Sequence, residues 1–253
     1  MKMVQGAQLY TIRDYCQNEK DFGISMKRVA DIGYKTVQIS GIGNIPAGTI
    51  RDICDKNGLK IVLTHIPPDR VLYDTEKVIA EHEIMGCKYI GIGSMPEKYR
   101  AADWIDRFAG DYLVPARKIA ASGKLFMYHN HDFEFQRFNG KYIIEYLTDA
   151  FTAEELGFTF DTYWVQVAGC DVADWIERLS GRLPCVHLKD LEMISGKPYM
   201  APVLEGNLNF PKFLKAFEKA GTEYLLVEQD TCLESPFACL KKSYDNLKAL
   251  GYK

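Results

Sequence analysis

The chain has no apolar run near the about 18 residues that a membrane-crossing helix needs, so no membrane partner is expected. Its opening ten residues, Met1 to Tyr10, lack the long apolar core of a secretory signal. No Cys-x-x-Cys pair occurs, and the seven cysteines (16, 54, 87, 170, 185, 232 and 239) are odd in number and scattered. A zinc finger or disulfide framework is therefore not expected; the default setting is a reducing cytoplasm, with the cysteines as small buried thiols. Excess positive charge is absent as well. Lys plus Arg number 31 against 34 for Asp plus Glu, a net charge of −3, which argues against a nucleic-acid partner. Neither Gly41-Ile42-Gly43 nor Gly91-Ile92-Gly93 has the third glycine of a dinucleotide-binding fingerprint. No low-complexity tract, Ser/Gly-rich linker or composition shift marks a boundary, so residues 1–253 read as one domain. With 47% hydrophobic and 26% charged residues, the chain falls in the folded globular class rather than among disordered, collagen-like or coiled-coil sequences.

What is present is an alternation of short β-rich runs with longer amphipathic stretches. Strands are expected at Gln8–Ile12, Thr36–Ser40, Lys60–Ile66, Tyr89–Ser94, Leu125–His131, Phe158–Trp164, Pro184–Lys189 and Tyr224–Gln229. Helices are expected at Phe22–Ile32, Ala47–Lys56, Thr75–Met85, Ala102–Ala121, Tyr142–Phe151, Val172–Leu179, Phe210–Ala220 and Pro236–Leu250. Gly33, Gly86 and Gly221 stand where helix stops belong, Asp171 where a cap belongs, and Pro115 predicts a kink or break. Eight β-then-α units with largely apolar strands point to a single-domain α/β fold, the (β/α)₈ TIM barrel. An open doubly wound sheet is the alternative.

Active sites of such barrels sit at the C-terminal ends of the strands, so polar residues there carry the information. They are Gln38 and Ser40, His65, His129-Asn130-His131, Asp161, His187 and Lys189, and Glu228 and Asp230. Alternation along a strand places 129 with 131 and 187 with 189 on one face. If Asp161, His187 and Glu228 point inward, three metal-ligand types converge from adjacent strands. Glu134 is the carboxylate available from strand 5, but its parity is opposite to that of His129, so the chain must bend after His131 for it to face in. His129 is the competing ligand. His82, between Glu81 and Glu83, reads as a surface residue. Arg13 and Arg70 are weighed as anion-binding residues but read as solvated. Tyr10, Phe133, Phe135, Tyr163 and Trp164 suit either a sugar pocket or barrel packing, and Tyr128 and Phe160 read as packing.

Ala7-Gln8-Leu9-Tyr10-Thr11-Ile12-Arg13-Asp14, Tyr128-His129-Asn130-His131-Asp132-Phe133-Glu134-Phe135, Phe160-Asp161-Thr162, His187-Leu188-Lys189-Asp190 and Val227-Glu228 follow one another in an order that covers the whole chain. Together they resemble the xylose isomerase-like TIM-barrel superfamily, in particular its sugar phosphate isomerase/epimerase group. That group is similar to tagatose and psicose 3-epimerases, inosose dehydratase and endonuclease IV. The resemblance implies one divalent metal, manganese first, with magnesium, cobalt or zinc as alternatives. It places the ligands at Glu134, Asp161, His187 and Glu228. Where the epimerases carry a strand 5 glutamate, this chain has His129, and Glu134 lies five residues later.

The chemistry expected from this set is removal of a proton next to a carbonyl on a sugar or keto-sugar, with a metal-stabilised enediolate. His129, Glu134, Glu228 and Lys189 are the candidate catalytic residues; Tyr10, Gln38, His65 and His131 are the candidate substrate contacts. Return of the proton gives isomerisation or epimerisation, and loss of a β-substituent gives a lyase or dehydratase. An endonuclease IV-like enzyme needs more histidines than the five present, and has a histidine where Trp164 stands. A sugar-binding barrel without turnover is the third reading. Homo-oligomerisation through the barrel exterior is compatible with the resemblance.

Overall fold

A computed structural model describes residues 3–101 and 105–253. Eight parallel strands close on themselves in chain order: β1 (Val4–Gln8), β2 (Thr36–Ile39), β3 (Lys60–Ile66), β4 (Tyr89–Ile92), β5 (Leu125–His129), β6 (Leu156–Asp161), β7 (Cys185–Leu188) and β8 (Tyr224–Val227). Among the described residues one longer helix follows each strand: α1 (Glu19–Ile32), α2 (Ala47–Lys56), α3 (Thr75–Met85), α4 (Ile105–Ala121), α5 (Ile143–Ala150), α6 (Val172–Arg178), α7 (Phe210–Ala220) and α8 (Pro236–Ala249), with short helical turns at Pro68–Tyr73 and Thr162–Val167. Local chemistry sets their ends. The side chains of Asn18, Asp171 and Asn209 accept backbone N–H bonds at the starts of α1, α6 and α7, and Gly86 and Gly221 close α3 and α7 at φ of 62° and 82°. This is the TIM barrel expected from the eight-unit alternation.

The barrel interior is filled by period-two side chains. Leu63, Tyr89, Met127, Cys185 and Leu226 form a buried plug separate from the larger core between strands and helices. Small residues alternate with these large ones. A Cβ on Gly6 would sit 2.3 Å from Thr36 Oγ1 and 2.8 Å from Leu226 Cδ2, and one on Gly157 would sit 2.7 Å from Met127 Sδ. Interdigitation of this kind makes the interior a packed core rather than a channel. Two residues beyond the plug, the same inward positions become His65, His129, His187 and Glu228. The apolar layer is thus the floor on which the polar site rests.

Several expected boundaries move. Strand 1 is Val4–Gln8, four residues earlier than the expected Gln8–Ile12, and Leu9–Tyr15 is a 3₁₀ segment whose start is capped by Gln8 Oε1 accepting from Tyr10 N–H. Strand 6 ends at Asp161; Thr162–Val167 is helical because Asp161 Oδ1 accepts from the N–H groups of Tyr163 and Trp164. Strand 5 ends at His129 rather than His131. Helix α4 runs on through Pro115 without a break. The expected start of that helix at Ala102 lies outside the described residues. His82 is buried, not on the surface, with its ring nitrogens 2.8 Å from Thr64 Oγ1 and 2.7 Å from Val78 O.

Candidate metal centre

Two imidazoles and two carboxylates converge at the C-terminal mouth of the barrel. His129, Asp161, His187 and Glu228 are buried, and one donor atom from each lies within 4.8 Å of every other. Strand register explains the closeness: Asp161 on β6 pairs directly with His187 on β7.

Each donor is aimed by a second contact. His187 Nε2–H donates to Gln38 Oε1 at 2.7 Å, and His129 Nδ1–H donates to Gly93 O at 2.8 Å; these assignments follow from the partners being oxygens. The opposite nitrogens, His187 Nδ1 and His129 Nε2, then point into the group. Asp161 spends Oδ1 on the helix cap and leaves Oδ2 for the group, while Asn130 Oδ1 accepts from Asp161 N–H at 3.0 Å. Glu228 receives Gln8 Nε2–H on Oε1 at 3.0 Å and leaves Oε2.

The free atoms crowd one another. His187 Nδ1 lies 2.9 Å from Glu228 Oε2 and 3.7 Å from Asp161 Oδ2, and His129 Nε2 lies 3.2 Å from Asp161 Oδ2. His187 Nδ1 and Glu228 Oε2 are both buried and face each other across 2.9 Å at the centre of the group. Ligands about 2.0–2.2 Å from one metal stand about 3–3.5 Å apart; the contacts here run from 2.9 to 3.7 Å, and no pair of donors exceeds 4.8 Å. The donor set therefore fits a divalent cation, and its N₂O₂ chemistry suits Mn²⁺, Co²⁺ or Zn²⁺.

The family follows from the whole chain. The model of the xylose isomerase-like TIM barrel family matches residues 26–249. The chain belongs to that family. Comparison with curated protein sequences finds no match. Among solved structures it is similar to a sugar phosphate isomerase/epimerase from Parabacteroides distasonis, at 23% identity, TM-score 0.81, covering 98% of this chain and 94% of that one. It is similar to a D-allulose 3-epimerase from Methylomonas sp., at 12% identity, TM-score 0.74, with 98% of each chain covered. It is also similar to "the probable 3-DHS dehydratase" of petrobactin synthesis from Bacillus anthracis, at 11% identity and TM-score 0.71, covering 97% of this chain and 99% of that one. At these identities the likeness establishes the fold.

In this member of the family, Glu134 stands outside the converging group, contrary to the ligand set that the resemblance implies. Beyond β5 the chain turns through a 3₁₀ segment, Phe133–Phe135, which carries Glu134 back toward its own strand. Its Oε1 accepts from Tyr128 O–H at 2.6 Å and its Oε2 from His131 N–H at 2.8 Å. Burial pushes its carboxyl up to about 7, against the pull of these hydrogen bonds. His129 takes the strand 5 place in the group.

Lys189 supplies positive charge beside the donors. It is 1% exposed, with Nζ 3.0 Å from Asp161 Oδ2, 2.9 Å from Glu228 Oε2 and 3.1 Å from Asp230 Oδ1. Burial alone would raise Asp161 and Glu228, but Lys189 and the neighbouring imidazoles outweigh it and hold both well below the usual carboxylate range. Burial likewise works against a charge on His187, yet Glu228 and Asp161 together push it up to about 9. A metal at His187 Nδ1 has to displace that proton. His65 and His131 are neutral near pH 7: burial, reinforced by His129, takes His65 well below its ordinary value and His131 down to about 3.

Above the group lies a cavity of about 240 Å³, lined by Tyr10, His65, His129, His131, Lys189 and Glu228 among others. That is just under the ~300 Å³ at which drug-sized sites begin, so it suits a small molecule. A larger groove of about 560 Å³ runs along α6 and α7, lined by Asp171, Lys212 and Lys215 among others, but among the described residues no converging buried donors meet there. Three candidate contacts, Tyr10, His65 and His131, thus face the cavity, while Gln38 is spent on orienting His187. Arg13 is engaged with the carbonyls of Tyr10 and Asp230, and Arg70 with Glu81. The sequence reading missed Gln8, Asn130 and Gly93 as positioning groups; placing strand 1 too late put Gln8 at a strand start instead of its end. No helix among the described residues is long and apolar enough to cross a membrane.

Proposed function

We propose that the protein is a divalent-metal-dependent isomerase or epimerase of a small sugar or keto-sugar. The observation that carries this reading is the group of four buried donors under a cavity lined by polar side chains, in a member of this family. His129, Asp161, His187 and Glu228 would hold the cation; manganese is the first candidate. Bound there, it supplies Lewis-acid polarisation of a carbonyl oxygen, which acidifies the neighbouring C–H.

The chain's own residues do the rest. Glu228 is the carboxylate of the group that faces the cavity, so removal and return of the proton fall to it; His129 also faces the cavity, but both its ring nitrogens are engaged, Nδ1–H on Gly93 O and Nε2 in the donor group. Lys189 places an ammonium beside the oxygen on which negative charge grows. The neutral imidazoles of His65 and His131 can each both donate and accept, which suits sugar hydroxyls. His65 Nε2 and His131 Nδ1 are buried with no hydrogen-bond partner, as open valences for a substrate would be. Tyr10 lines the cavity, and the Trp164 ring lies 5.2 Å from that of His131.

The test is exchange of the substrate's α-proton with solvent. Ketopentoses, ketohexoses and 3-keto-glycosides in D₂O with Mn²⁺ are followed by NMR. Deuterium uptake at one carbon, lost in Glu228→Gln, is expected. Uptake in no member of the set, with or without added Mn²⁺, Co²⁺ or Zn²⁺, would overturn the proposal. The same spectra separate epimerisation from loss of a β-substituent, the outcome of the lyase reading.

A further inference from the structure

Asp161 and Glu228 share an amino group of the chain itself. Lys189 Nζ contacts Asp161 Oδ2 at 3.0 Å and Glu228 Oε2 at 2.9 Å. These are the same two oxygens that close the donor group with His129 Nε2 and His187 Nδ1. Lys189 lies two residues beyond His187, so strand alternation points a ligand and a competing cation to the same side. Two positive ions cannot share those oxygens at full strength. The ammonium has one carboxylate that the donor group does not use: Asp230. Its side chain is 25% exposed at the cavity rim, and the hydrogen bonds of Lys189 Nζ are directed at both its oxygens, at 3.1 and 3.2 Å. A lysine stem has the torsional freedom for such a shift. Trp164 waits on the same side, its ring centroid 5.5 Å from Nζ.

We propose that Lys189 is a built-in counter-cation that neutralises the buried donor carboxylates and competes with a metal for Asp161 and Glu228, with Asp230 as the seat to which the ammonium withdraws when metal enters. This inference rests on the reading of the four donors as a metal centre. It explains how buried carboxylates are tolerated before loading, since an unpaired buried charge is strongly destabilising. It also makes metal affinity a property tuned by two residues that are not themselves ligands.

The experiment is Mn²⁺ binding by titration calorimetry to the metal-stripped full chain. Wild type is compared with Lys189→Met, Asp230→Asn and the double variant, each checked for fold by circular dichroism. Lys189→Met should bind Mn²⁺ at least tenfold more tightly than wild type. Asp230→Asn should bind several-fold more weakly, and that loss should vanish in the double variant, because Asp230 acts through Lys189. Should Lys189→Met fail to fold, Lys189→Gln gives the same comparison. Unchanged or weaker binding without the ammonium overturns the inference, as does an Asp230→Asn effect of full size in the double variant. Binding by wild type that Asp161→Asn abolishes, with Lys189→Met unchanged, leaves the metal centre standing and removes only the inference. No Mn²⁺ binding by wild type or by any Lys189 variant overturns both.

Discussion

Replacing Glu134 with Gln neutralises a carboxyl that is fully buried and bonded to Tyr128 O–H and His131 N–H. The amide can keep both partners, with its oxygen on His131 N–H and its NH₂ on the Tyr128 oxygen. The structure raises this carboxyl from 4.5 to about 7 through burial. That rise corresponds to about 3 kcal/mol between the two protonation states. The sign follows from proton binding. Between pH 4.5 and 7 the folded chain holds the proton more tightly than the unfolded chain, so wild-type stability falls through that window and is flat above it with respect to this group. Glu134→Gln removes the slope. Urea unfolding at half-unit steps from pH 4 to 8 should show the variant gaining on wild type by about 3 kcal/mol across the window. Parallel profiles would refute the burial argument. The folded variant should also bind Mn²⁺ as wild type does, because Glu134 is not among the converging donors; loss of binding would return it to the ligand set.

Two further substitutions probe the support beneath the site. Gly6→Ala puts a methyl 2.3 Å from Thr36 Oγ1 and 2.8 Å from Leu226 Cδ2, and should cost about 1–3 kcal/mol in urea unfolding; wild-type stability would contradict the packed interior. Gln38→Ala removes the acceptor that fixes the His187 tautomer and should lower Mn²⁺ affinity about 10–100-fold with the fold retained; an unchanged titration would show that His187 needs no such partner.

The barrel was legible because seven of its strands announce themselves as apolar runs between helices. Strand 1 did not. Its interior position Gly6 faces Leu226 and Thr36 across a gap too small for a side chain, so the segment lacks an apolar signature, whereas Leu9 and Ile12 are buried in the 3₁₀ segment beyond it and mimic one. At Thr162-Tyr163-Trp164, β-prone side chains were overridden by one hydrogen-bonded cap on Asp161. For His82, the acidic neighbours suggested water, yet the helical repeat aligns it with buried Val78 and Met85, a signal that was present. The site divided in the same way. Inward parity of His129, His187 and Glu228 could be read from alternation alone. The fate of Glu134 could not, because it depends on how the chain leaves β5, and there a two-residue periodicity no longer applies.

The central claim is that one divalent cation belongs among His129, Asp161, His187 and Glu228. Elemental analysis after reconstitution and desalting, on wild type and on an Asp161→Asn/Glu228→Gln variant that circular dichroism reports as folded, tests it most directly. About one metal per wild-type chain and none in the variant is expected, as loss of two of four ligands requires. A wild-type chain that holds no metal, or a folded variant that keeps it, would contradict the account.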